Sequence, residues 1–237
     1  MKHLIRGTTN RFLNHNAFEL EMIFNKPRKA DDPPILLFPG LGASKLVFQN
    51  KTVYPPPIPK YVFNYKEWKN TIIQNRNLTT LEVGNPESLD VNLPFRRFNV
   101  YERMLREPNV HAMPYDFRLL DDPYYYQGLY QRVKQYIESF QEPVILMCHS
   151  TGGLVAHWFL HNQPKEWLEI WIKSVIYINV PFGGVVTVLE NCVHDNTNLN
   201  RYIGHEVFRS LGASIWNMPN VETLEHPVLF VNGNPRL

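Results

Sequence analysis

Four stretches of the chain are runs of almost unbroken apolar residues: Ile35–Phe38, Val144–Met147, the "VIYINV" segment beginning at Val175, and Val228–Val231. None alternates with polar residues in the way a half-exposed strand would, and each is followed by a loop bearing glycine or proline: Gly40 and Gly42, the Ser150-Thr151-Gly152-Gly153 turn, Pro181 with Gly183 and Gly184, and Gly233. Between the first two runs, Leu129, Val133, Tyr136, Ile137 and Phe140 recur at helical spacing and predict an amphipathic helix leading into the second strand. After that strand, Leu154, Val155, Trp158 and Phe159 predict a helix that buries one side. Buried strands separated by helices predict a parallel sheet covered by helices on both faces, so the expected class is α/β.

In such a sheet, ligands bind outside the carboxyl ends of the strands, which draws attention to Ser150 between "VILM" and "TGGLVAHWFL". Cys148-His149-Ser150-Thr151-Gly152 differs by one residue from the G-x-S-x-G nucleophile elbow, with Cys148 where the first glycine would stand. The elbow needs small residues around its serine because the turn is strained and the helix packs against the strand; cysteine is small, and Gly152 and Gly153 keep the other side open. The plain alternative is that Ser150 only caps the helix. A nucleophilic serine also needs two N–H donors for an oxyanion. Thr151, at the helix start, and Leu41, in the loop after the first strand, are the expected pair.

The 237 residues are 44% hydrophobic and 19% charged, enough for one core, and no linker or repeat divides them, so one domain over 1–237 is expected. A formal net charge of +2 and a single small basic cluster, "KPRK", give no reason to expect a nucleic-acid partner. The first residues lack a signal-peptide pattern, and no window reaches the roughly 20 apolar residues of a membrane span. An intracellular protein, cytoplasmic or peripheral on a membrane, is therefore expected. Cys148 and Cys192 lie far apart without metal-ligand spacing and read as free thiols, and the sequons at Asn50 and Asn77 read as incidental.

"PPILLFPGLGASKL", "MPYDFRL" at 113–119, the Ser150 elbow and "INVPFGG" stand in an order and spacing that resemble the lecithin:cholesterol acyltransferase family, over about residues 33–190. That family includes lysosomal phospholipase A2 and phospholipid:diacylglycerol acyltransferase. "GHEVFRSLGASIWNMP" at 204–219 resembles the segment that follows. The resemblance implies an α/β-hydrolase fold, with a lid-like insertion at about 48–95 and a cap-like segment at about 190–222. It also implies a lipid O-acyltransferase or phospholipase that works through a serine acyl-enzyme on glycerophospholipid acyl esters, without metal or cofactor. By position Ser150 matches the nucleophile, and Thr151 and Leu41 match the oxyanion donors.

The chain departs from the family pattern at Cys148, in lacking the lid cysteine pair near Trp68, and in lacking the acid and histidine motifs after the elbow. A C-terminally truncated hydrolase is the corresponding expectation. Asp195 with His205 or His226 offers the Ser, Asp, His order formally, although "CVHDNTNLN" reads more simply as a polar surface loop. His149 reads as a packed or hydrogen-bonded neighbour of Ser150. His157 and His161 share a helix face without a third metal ligand and read as surface residues; Trp68 reads equally as core or as a lipid contact. Two classes remain: an enzyme acting on a phospholipid or other lipid acyl ester with peripheral membrane contact, or a non-catalytic remnant or half of a split enzyme that binds a lipid or partner.

Overall fold

The structure is a computed structural model, and it describes residues 32–56, 63–89, 91–93, 96–97, 100–194, 203–220, 229–231 and 234–236. The chain divides into two units, residues 1–32 and 33–237, and the second carries all the elements below. The basic cluster, Asp195, His226, Val228 and Gly233 lie outside the described residues.

The first apolar run is strand β1 (Ile35–Phe38), buried at every residue. An antiparallel hairpin follows, β2 (Leu46–Phe48) with β3 (Lys51–Tyr54), and then helix α1 (Tyr65–Gln74). Two-residue strands β4 (Asn92–Leu93) and β5 (Arg96–Arg97) pair with each other. Strand β6 (Val110–Ala112) precedes helix α2 (Pro123–Ser139), whose N-cap Asp122 accepts from the Tyr124 and Tyr125 N–H groups and which has proline in its first turn. Its apolar stripe lies as the spacing predicts: Leu129, Val133 and Ile137 are buried, with Tyr136 and Phe140 packed at the edge of the core.

Strand β7 (Val144–His149) enters helix α3 (Thr151–His161), followed by α4 (Lys165–Trp171), β8 (Ile172–Ile178), α5 (Val186–Val193), α6 (His205–Arg209) and α7 (Gly212–Trp216). The sheet order is β6-β1-β7-β8, parallel throughout. β1 and β7 are therefore central, and the carboxyl ends of both open on the same side.

Three expectations need correction. The Val228–Val231 run does not join the parallel sheet: β9 (Leu229–Val231) pairs antiparallel with β10 (Asn234–Arg236) as a separate hairpin. The reason is written in the sequence, where Asn-Gly between the two strands is a strong two-residue hairpin signal. β8 is not buried along its length; Lys173, Ser174, Ile176 and Tyr177 are exposed, because among the described residues it has β7 as its one strand neighbour. Helix α3 buries Val155, Ala156 and Phe159, while Leu154 is half-buried and Trp158 turns outward onto His161 and Trp216.

Candidate active site

Ser150 stands between β7 and α3 at φ +52°, ψ −130°, a backbone conformation that costs an L-residue about 1–3 kcal/mol. It occupies the N-cap position, yet its side chain makes no capping hydrogen bond. The capping explanation therefore does not account for it. Its backbone is held at both ends, the N–H donating to Ile178 C=O at 2.9 Å and the carbonyl accepting from Gly153 N–H at 2.9 Å.

The glycines after Ser150 are required by close approach. A Cβ on Gly152 would lie on the carbonyl oxygens of Phe38 and Pro39, and one on Gly153 would overlap Val180. Cys148, on the other side of the turn, is fully buried and unpaired, and burial pushes its thiol up to about 12. Such a thiol packs as a small apolar group.

Across from the elbow, Gly40–Ala43 forms a turn closed by Ala43 N–H to Gly40 C=O at 3.2 Å, with Gly42 at φ +71° in the position that requires glycine. A Cβ built on Gly40 would sit 3.3 Å from Ser150 Cβ, so this loop lies directly against the serine. Leu41 is the second residue of that turn and Thr151 the first of α3. The turn closes through Ala43 N–H rather than that of Leu41, and a helix's first N–H groups have no partner within the helix. Thr151 itself is buried, with its hydroxyl donating to Asn217 Oδ1 at 3.1 Å.

The Tyr115-Asp116-Phe117-Arg118 loop holds the parts together. Tyr115 donates its hydroxyl to Pro39 C=O at 2.9 Å and its N–H to Ser44 Oγ at 3.1 Å, bracing the Gly40 turn from both sides. Asp116 and Arg118 form a buried bidentate ion pair, and Arg118 also donates to Ile72 and Asn75 carbonyls at 2.9 and 2.8 Å, capping the end of α1. The carbonyls of Phe117 and Arg118 accept from Ala213 and Gly212 N–H groups at the start of α7.

A cavity of about 200 Å³ opens at Ser150. Gly40, Leu41, Gly42 and Ala43 form one wall and His149 and Ser150 another; Tyr54, Ile72, Val91, Val100, Tyr101, Phe117, Ile203, Val207, Phe208 and Leu211 enclose the rest. None of the described residues lining it carries a charge. A larger groove of about 670 Å³, between residues 76–83 and α2, is lined by none of the elbow residues.

His149 is a hydrogen-bonded neighbour of Ser150, as the sequence suggests: its Nδ1 is 2.6 Å from the Tyr101 hydroxyl, and burial lowers its pKa. Trp68 is core, buried and donating to Val53 C=O at 2.9 Å. His157 contacts Tyr177 and Phe182, and His161 stacks on Trp158. His205 begins α6, whose Val207 and Phe208 line the cavity, but is not itself among the lining residues. The sequence reading missed Tyr54, Tyr101 and Asn217, which carry no local pattern. It also missed the cap face, although Ile203, Val207 and Leu211 recur at intervals of four.

A family model for lecithin:cholesterol acyltransferase matches residues 101–232, more than half of the chain. The lysosomal phospholipase A and acyltransferase of Rattus norvegicus is 28% identical over 132 residues, which cover 53% of this chain and 32% of that protein. The phosphatidylcholine-sterol acyltransferase of Gallus gallus is 33% identical over 87 residues, 36% of this chain and 21% of the relative; that of Rattus norvegicus is 36% identical over 84 residues, 35% and 19%. The chain thus matches about a third or less of the length of these relatives. Among the described residues no helix is long and apolar enough to cross a membrane.

Proposed function

Because the chain belongs to the lecithin:cholesterol acyltransferase family, we propose that it cleaves or transfers the acyl group of a lipid ester, phospholipid first among them, with Ser150 as nucleophile. The observation that carries this reading is the strained, uncapped Ser150 at the mouth of an uncharged, apolar cavity whose near wall is the Gly40 turn. An apolar cavity of this kind suits an acyl chain, and strain of this kind is retained where a residue must be presented to a substrate. Tyr54, Ile72 and Val91, from about 48–95, and Ile203, Val207, Phe208 and Leu211, from about 190–222, line it. We read these two segments as the lid and cap over that chain.

In the proposed reaction a histidine takes the Ser150 proton and Oγ attacks the ester carbonyl. The N–H groups of Leu41 and Thr151 receive the oxyanion, and the leaving alcohol departs with the proton. Water or an acceptor alcohol then releases the acyl group. His205, which begins a helix lining the cavity, and His226 are the candidates for the base.

The test is labelling of the purified chain with a fluorophosphonate probe. We expect wild type to label and Ser150→Ala not to; loss in His205→Ala assigns the base to that residue, and retention moves it to His226, tested in the same way. A folded wild-type chain that does not label overturns the reading, leaving a lipid- or partner-binding remnant or half of a split enzyme.

A further inference from the structure

The two loops that meet at Ser150 come from different strands, and one phenol joins them. Tyr101 lies in the turn before a short 3-10 segment, Met104–Arg106, and is almost fully buried. Its Oη accepts the Gly40 N–H at 2.7 Å and lies 2.6 Å from His149 Nδ1, with the two rings edge to face at 5.8 Å. Gly40 precedes Leu41 and His149 precedes Ser150, so the phenol touches the residue before the proposed oxyanion donor and the residue before the proposed nucleophile.

The chemistry of the three groups allows one consistent arrangement. The Gly40 N–H can only donate, so Oη accepts there. The single phenol proton then goes to its other close partner, Nδ1, and His149 carries its own proton on Nε2. Burial pushes the Tyr101 phenol up to about 12 and His149 down, so both stay neutral through the physiological range and the arrangement persists. The Gly40 loop has little room to drift otherwise, since a Cβ at that position would already be 3.2 Å from His149 Nδ1.

We propose that Tyr101 is a positioning residue: its ring lines the cavity, while its hydroxyl sets the distance between the Gly40 turn and the Ser150 elbow and thereby the fit of the site to the oxyanion. The inference rests on the assignment of Ser150 as nucleophile. Tyr101 touches neither reacting atom in this scheme. A displacement of about 1 Å in such a site lowers turnover by up to about 100-fold.

The experiment measures fluorophosphonate inactivation of the full chain over a range of probe concentrations, which separates the limiting rate from the half-saturating concentration. Tyr101→Phe keeps the ring and removes the hydroxyl. We expect its limiting rate to fall about 10- to 100-fold, with half-saturation within about twofold of wild type. His149→Leu leaves the Gly40 contact and removes the other, and should lose less. The double variant should be no slower than Tyr101→Phe, since both act through one bridge. Circular dichroism checks folding; if Tyr101→Phe does not fold, His149→Leu decides, an unchanged limiting rate there overturning the proposal. A folded Tyr101→Phe that inactivates at the wild-type rate, or changes only half-saturation, overturns it while leaving Ser150 in its role. An unlabelled wild type removes both.

Discussion

Strands β7 and β8 lie side by side, paired in parallel from Ile145–Ser174 to His149–Ile178, and both read as apolar runs, yet they occupy different surroundings. β7 has a strand on each side and buries Val144, Leu146, Met147 and Cys148; β8 leaves Ile176 43% and Tyr177 39% exposed. The difference teaches that apolarity marks a segment as strand, whereas the number of neighbours sets its depth. It also explains where the site formed. The serine follows the strand that is fixed from both sides, where a strained turn can be held by packing against β1 and by the Tyr115 loop.

That contrast can be tested by substitution and pH. The largest effect is expected at the braced centre: Arg118→Ala leaves Asp116 buried without its partner and should cost about 4 kcal/mol in urea unfolding. If the loss is below about 1 kcal/mol, the Tyr115–Arg118 loop does not brace the site. Next, Leu146→Ala in β7 should cost about 3 kcal/mol and Ile176→Ala in β8 less than about 1. Equal losses would mean that β8 is covered in solution, which would erase the comparison.

Ser150→Gly should move stability the other way, by roughly 1 kcal/mol, because glycine accepts φ +52° without strain, and it should abolish probe labelling. The smallest effect concerns pH. Burial holds the folded-state pKa of His149 below its ordinary 6.5, so the unfolded chain binds a proton that the folded chain refuses. The stability contributed by neutral His149 is complete above 6.5 and is lost as pH falls through the folded value. The urea midpoint of wild type should therefore drop between about pH 7.5 and about pH 5.5, by less than roughly 1 kcal/mol in stability. His149→Gln should show a smaller drop, with the remainder from His111, which burial also lowers.

Much of the fold was legible because its signals are local. The apolar runs at Ile35 and Val144, the helical stripe of α2, and the serine between strand and glycines each sit within a few residues. β6 escaped because three residues with His111 in the middle carry no periodicity. The apolar run at Val228 misled because apolarity alone does not say which partner a strand takes, and the Asn-Gly pair beside it was the more informative feature. Trp158 was placed inward because helical spacing allows several apolar faces, and packing of α3 against β1 and β7 selected the one with Val155 and Phe159.

The sequence by itself determined the class, the strand-turn-helix at Ser150 and the family, since each depends on short-range spacing and residue size. Only the tertiary structure decided which loops face the serine and what holds them there. Tyr101 reaches Gly40 across 61 residues and His149 across 48, and Thr151 meets Asn217 across 66. Contacts at such separations arise when separate segments bury their apolar faces in one core. They leave no periodic trace in the segments themselves.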